Sequence, residues 1–107
     1  MKRIFAIALL SAASAACVPA IPAPTAEHIL IAERTWPAIT LNDLARGRDT
    51  YLERCSSCHM VYTPTRYGAA KWPELVAKMR ARAHLQPSEE QDVVRYLTAV
   101  AQIPPRT

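Results

Sequence analysis

The run Cys55-Ser56-Ser57-Cys58-His59 constrains this chain more than any other stretch. Residues at i, i+3 and i+4 of a helix share one face, so two thiols and an imidazole can meet one flat object. The spacing reads as a covalent haem attachment site. The sulfurs of Cys55 and Cys58 add to the haem vinyl groups, and His59 binds the iron as proximal ligand. A thioredoxin-like redox pair would open a helix in a βαβ unit, yet no strand-like run precedes this one. A structural zinc site needs four ligands at workable spacing, and only His28 and His84 remain to complete a set.

The N-terminus points to export. Met1-Lys2-Arg3 is a positive start, residues 4–10 are a short apolar core, and residues 11–16 are small. That is the pattern of a secretory signal peptide, too short to span a bilayer as a mature helix. Covalent haem attachment in bacteria takes place on exported chains, so motif and leader agree on a periplasmic location. Cys17 directly follows Ser14-Ala15-Ala16, a spacing that resembles a bacterial lipoprotein site, although Ser14 stands where that pattern usually has Leu. Two fates for Cys17 stay open: acylation into a lipid anchor, or an ordinary place near the mature N-terminus. The expected organisation is a signal peptide over 1–16, a Pro/Ala-rich linker over 17–26 and one domain over 27–107.

Charge excludes one class of partner. The formal net charge is +4, and Lys2 and Arg3 leave with the leader, so the remaining chain is close to balanced. Nucleic-acid binding is a poor explanation of so small an excess.

Periodicity is helical throughout. Residues 26–34 predict a short helix, with three consecutive apolar residues leaving a strand open, and His28 on the segment is expected at the surface. Thr40 caps a second helix running from 41 to about 55, with Leu44, Gly47, Tyr51 and Cys55 inward and Arg46, Asp49 and Glu53 outward. Gly47 in mid-helix costs about 1 kcal/mol relative to alanine, which predicts a close helix crossing there. Pro64 and Gly68 punctuate a loop. Trp72, Leu75, Val76 and Met79 form the stripe of a third helix opened by Pro73. Ser88, with Gln91 three residues on, is expected to cap a last helix that buries Val93, Tyr96, Leu97, Val100 and Ala101. No convincing strand is present, so the fold class is all-α.

On these residues the chain resembles class I cytochrome c, a monohaem family, over about residues 40–101. Gly47 and Tyr51 before Cys55 match the family's N-terminal helix. Tyr96-Leu97 match the C-terminal helix that crosses it at the glycine. The resemblance implies three to five helices around one covalent haem c, whose iron carries single electrons between redox partner proteins. It also implies a distal ligand. Met79 lies at a family-like distance, twenty residues after His59, and a thioether there would raise the potential; a methionine on that stripe can equally fill core. His84 is the alternative, giving a lower-potential bis-histidine haem, with Lys78 a further candidate. The chain departs from the family at Met60, where glycine is common, and in having no Met-Pro or Met-x-Phe loop.

Several supporting roles follow. The Pro64 carbonyl, or that of a neighbour in its loop, is expected to accept from the His59 ring, and Trp72, Tyr62 and Arg66 to reach propionates or pack in the core. Arg66, Lys71, Lys78, Arg80 and Arg82 against Glu74 alone make a basic rim for an acidic partner, or a solvated helix face. With no paired carboxylates and no nucleophile–base arrangement, the chain is expected to be a carrier rather than an enzyme. A haem-based ligand sensor and a haem subunit of a larger oxidoreductase remain as alternatives.

Overall fold

The structure, a computed structural model, describes residues 21–56 and 61–104. The leader, Cys17, Cys58, His59 and Met60 lie outside the described residues.

Helix α1 spans Ala26–Ala32 and is opened by Thr25. Here the sequence expectation for His28 fails. Its side chain is buried, at 5% exposure, and Nδ1 accepts a hydrogen bond from the Thr25 backbone N–H at 2.9 Å. The ring occupies the third helical position, where a side chain can reach back to the capping residue, and that bond draws it inward. Burial holds the His28 pKa below its ordinary value, against the smaller opposing pull of Glu27.

Helix α2, Leu41–Thr50, begins as expected. The Asp43 N–H donates to Thr40 Oγ1 at 3.2 Å, and the Thr40 N–H donates to Asp43 Oδ2 at 2.8 Å. The anticipated α-helix to Cys55 is not continuous. From Tyr51 to Cys55 the chain winds as a single π-helical turn. Residues four apart drift by about 40° around an α-helix. The wider turn, bonded i→i+5, reduces that drift and keeps Cys55 in line with Tyr51 and Gly47.

Two short 3₁₀ turns, Pro64–Arg66 and Ala69–Lys71, lead into α3, Trp72–Met79. The last helix, α4, spans Pro87–Val100. Its cap is Gln86 rather than Ser88, which lies inside the first turn. Pro87 has the helical φ built in at the first position, and the Glu89 carboxylate accepts from the Gln86 N–H at 3.0 Å. The first turn is thus satisfied two residues earlier than Ser88 would allow.

Helix α4 is the spine, packing on α2 most extensively and also on α3 and α1. The crossing with α2 is at Gly47, as its cost in mid-helix required. A Cβ there would lie 2.1 Å from the Asp92 carbonyl oxygen and 2.8 Å from Tyr96 Cβ. Val93, Tyr96, Leu97 and Val100 are fully buried and join Tyr51, Trp72 and Val76 in one core; Ala32, Ile39, Leu44 and Ala99 make a second under α1. The segment before α1 is tied down as well. Ile21 is buried, Arg48 donates from Nε and Nη2 to the Ile21 carbonyl at 3.1 and 2.9 Å, and the Tyr96 hydroxyl donates to the Pro22 carbonyl at 2.5 Å. The described residues contain no strand, and the fold is all-α.

Candidate functional site

An apolar cleft opens between the π turn, the 61–67 segment, α3 and the turn that follows it. Its empty space is about 900 Å3, the open mouth included. Cys55 lines it from the π turn, and Met79 lines it from the last turn of α3. Val61, Leu75, Val76, Ala83, Leu85 and Leu97 supply aliphatic walls, with Tyr51, Tyr67 and Trp72 as aromatic ones. The charged residues lining it are Arg54, Lys78 and Arg82, all cations.

The aromatic wall is held by hydrogen bonds as well as packing. Buried hydroxyls and indoles usually find a partner, and both here find backbone carbonyls of the segment after residue 60. The Tyr51 hydroxyl donates to the Tyr62 carbonyl at 2.6 Å. Trp72 Nε1 donates to the Pro64 carbonyl at 2.7 Å. The Pro64 carbonyl, expected to accept from the His59 ring, thus accepts from Trp72 with one of its two lone pairs; His59 lies outside the described residues. Ring edges meet ring faces along the wall. Tyr51 and Trp72 have centroids 6.1 Å apart, Tyr67 and Trp72 5.3 Å, and Tyr62 and Tyr67 5.9 Å. Desolvation is the main reason that the Tyr51 hydroxyl titrates well above the ordinary tyrosine range, so it remains a proton donor at physiological pH.

Arg54 fastens the π turn to the far side of the cleft. Its Nη1 donates to the His84 carbonyl at 3.1 Å, and its Nη2 lies 3.2 Å from Glu89. His84 itself is exposed and does not line the cleft. It stands at φ 54°, the left-handed position of the turn after α3, where the Leu85 N–H bonds back to the Arg80 carbonyl at 3.1 Å. That six-to-one bond around a left-handed residue is a Schellman arrangement.

The expected basic segment is partly neutralised at its own surface. Glu74 receives both Lys71 and Lys78, at 3.3 and 2.9 Å, and Arg80 pairs with Glu90 at 3.2 Å. Arg66 instead lies over the Tyr62 ring, 5.6 Å from its centroid.

Of the residues expected to hold the cofactor, the structure brings Cys55 and Met79 into one cleft; Cys58 and His59 fall outside the described residues. The residues present fit a haem: Cys55 and Met79 line an apolar slot with aromatic walls, and the charged residues lining it are cations that could pair with propionates. Tyr67, Leu85 and Arg54 escaped sequence reasoning. The even spacing of Tyr62, Tyr67 and Trp72, five apart, was the available signal for the first. Leu85 follows a turn that no helical or strand period registers.

A family model described as dihaem cytochrome c matches residues 51–106, more than half of the 107 residues. No curated protein and no solved structure matches. The match supports c-type haem chemistry and electron transfer, and it replaces the monohaem class I resemblance with a different, dihaem family. With thiol and thioether in one apolar cleft and the match running through the attachment motif to the last helix, this chain belongs to the dihaem cytochrome c family.

Proposed function

We propose that this chain is an exported electron carrier with one covalent haem c, which Cys55 and Cys58 would attach and whose iron His59 and Met79 would ligate. The observation that carries the reading is that Cys55 and Met79 line the same apolar cleft. The count of one rests on the sequence. Its three cysteines include a single C-x-x-C-H, and Cys17 stands by itself, so no second pair of thiols is present to hold another haem in the same way. Met79 is favoured over His84 because it lines the cleft and His84 does not. The leader-like residues 1–16 support a periplasmic product, and Cys17 supports a lipid anchor on it.

The haem would supply the one-electron chemistry, and the protein residues do the rest. The aliphatic and aromatic walls exclude water. Arg54, Lys78 and Arg82 offer charge to propionates. Tyr51 and Trp72 hold the backbone that follows the attachment motif, which limits reorganisation around the site. No catalytic residue is assigned, and the chain is read as a carrier and not as an enzyme.

Mass spectrometry of the mature protein tests the attachment and the processing at Cys17 together: the mass should exceed that of the amino acids by one haem, plus acyl groups if Cys17 is lipidated. Met79→Ala should abolish a methionine-to-iron charge-transfer band and leave the haem attached. An unchanged spectrum in Met79→Ala, altered instead in His84→Gly, would transfer the ligand role to His84. Rapid carbon monoxide binding by the unsubstituted reduced protein would favour a ligand sensor instead.

A further inference from the structure

Three residues separate Cys17 from Ile21, and from Ile21 onward the chain is held fast. Ile21 is buried in the larger core, both Arg48 bonds end on its carbonyl, and the Pro22 carbonyl accepts the Tyr96 hydroxyl. The slack between Cys17 and the domain is therefore confined to residues 18–20. Four Cα-to-Cα steps reach at most about 14 Å, so whatever holds Cys17 also holds this pole of the domain close. A groove lies beside the pinned segment. Pro22, Ala26, Ile103 and Pro104 line it, together with Glu27 and His28. Leu30, 64% exposed, stands one turn of α1 beyond Ala26 and on the same side of the helix. Alone, an exposed leucine needs no explanation; beside an apolar groove at the end of a short tether, it extends an apolar surface.

We infer that this pole, the groove with the Ala26–Leu30 side of α1, is a seat that rests on a lipid bilayer, held there by the short tether to an acylated Cys17. It rests on the lipid-anchor part of the proposed function. The tether selects the occupant. A single helix is about 10–12 Å across, so a partner protein does not fit between this pole and the headgroups once Cys17 is anchored. Neither Lys nor Arg lines the groove among the described residues, and Glu27 does. The contact therefore takes neutral lipid, unlike a polybasic segment that needs an anionic surface. The haem cleft belongs to the other end of α4. Arg54, which lines it, pairs with Glu89 in the first turn of that helix, roughly 20 Å along the axis from Val100. Seating at the Ile103 end keeps that side of the cleft in water.

The test uses the acylated, haem-loaded protein in phosphatidylcholine vesicles, with a benzophenone attached at Leu30→Cys or at Ser88→Cys, an exposed position in the first turn of α4. On irradiation the probe at position 30 should form lipid adducts, read by mass spectrometry, at several-fold the yield of the probe at position 88. A spacer of about fifteen Gly/Ser residues inserted after Pro19, spanning about 20 Å, should bring the yield at position 30 down toward that at position 88. Haem spectra of all variants should match the parent, which shows that the domain is intact. Equal lipid yields at the two positions, or a yield at position 30 that the spacer leaves unchanged, would overturn the tethered seat. So would crosslinks from position 30 to a second copy of the chain in place of lipid. A mature protein whose Cys17 carries no acyl group would also overturn it and leave the carrier function standing. A colourless mature protein would defeat the carrier function, with the seat still decided by the lipid adducts.

Discussion

At the scale of the residue, two histidines show how one side-chain type serves opposite ends of a helix. His28 caps α1 as a neutral acceptor, and protonation removes the lone pair that the Thr25 N–H requires. Its pKa is lowered on folding, so the unfolded chain binds this proton more tightly than the folded one. The contribution is therefore fully present above the unfolded value near 6.5 and is lost as pH falls through the lower folded value. The melting temperature should decline between pH 7 and 5, and His28→Gln, which keeps an acceptor that does not titrate, should flatten that decline. His84 carries a different strain. A left-handed residue with a Cβ costs about 1–2 kcal/mol, although histidine is among the residues that tolerate the position best. His84→Gly should match or exceed the parent in chemical denaturation, and His84→Val should lose about 1 kcal/mol or more. Neither role was visible in the sequence, because burial of His28 depends on a chain segment folded back upon it and the φ of His84 depends on where α3 stops.

At the scale of the element, the crossing of α2 and α4 was the most legible part of the fold. Gly47 and the Tyr96-Leu97 pair follow a helical period, and the need for a missing Cβ translates directly into a close approach. Gly47→Ala gains about 1 kcal/mol of helix propensity, but its methyl would fall on the Asp92 carbonyl. Backbone cannot yield as a side chain can, so the net loss should be about 3 kcal/mol, at the upper end of overpacking penalties, measured by urea denaturation. Less legible were the features that break periodicity. The wide turn at Tyr51–Cys55 has no marker residue, and the cap of α4 was misread at Ser88 because serine is the commoner capping residue. The carboxylate of Glu89 and the fixed φ of Pro87 prevailed over that preference.

At the scale of the whole molecule, the two cores are unequal partners. The smaller, under α1, is closed by protein alone, and the larger forms one wall of the cleft. A domain of fewer than a hundred residues has little apolar area to spare, so the larger core should depend on what fills that cleft. The double variant Cys55→Ala with Cys58→Ala should retain helical circular dichroism and melt more than about 10 °C lower than the attached form, a difference of roughly 2 kcal/mol for a domain of this size. Exposed ion pairs such as Lys78–Glu74 should contribute little by comparison, since each is worth well under about 1 kcal/mol. The attachment motif and the helix stripes made the site legible in outline. The cleft's rim was not, because it is assembled from turns whose side chains converge only in three dimensions.

The π-helical turn makes the stretch between Gly47 and Cys55 a measured distance. With one residue fewer, normal winding would resume and the sulfur would lose its alignment with Tyr51 and Gly47. Of the turn's five positions only Glu53 is exposed, and substitutions there should be tolerated while shortening is not. Divergence in this segment should therefore proceed by exchange of side chains at constant length, with the thiol's bearing preserved by counting rather than by chemistry.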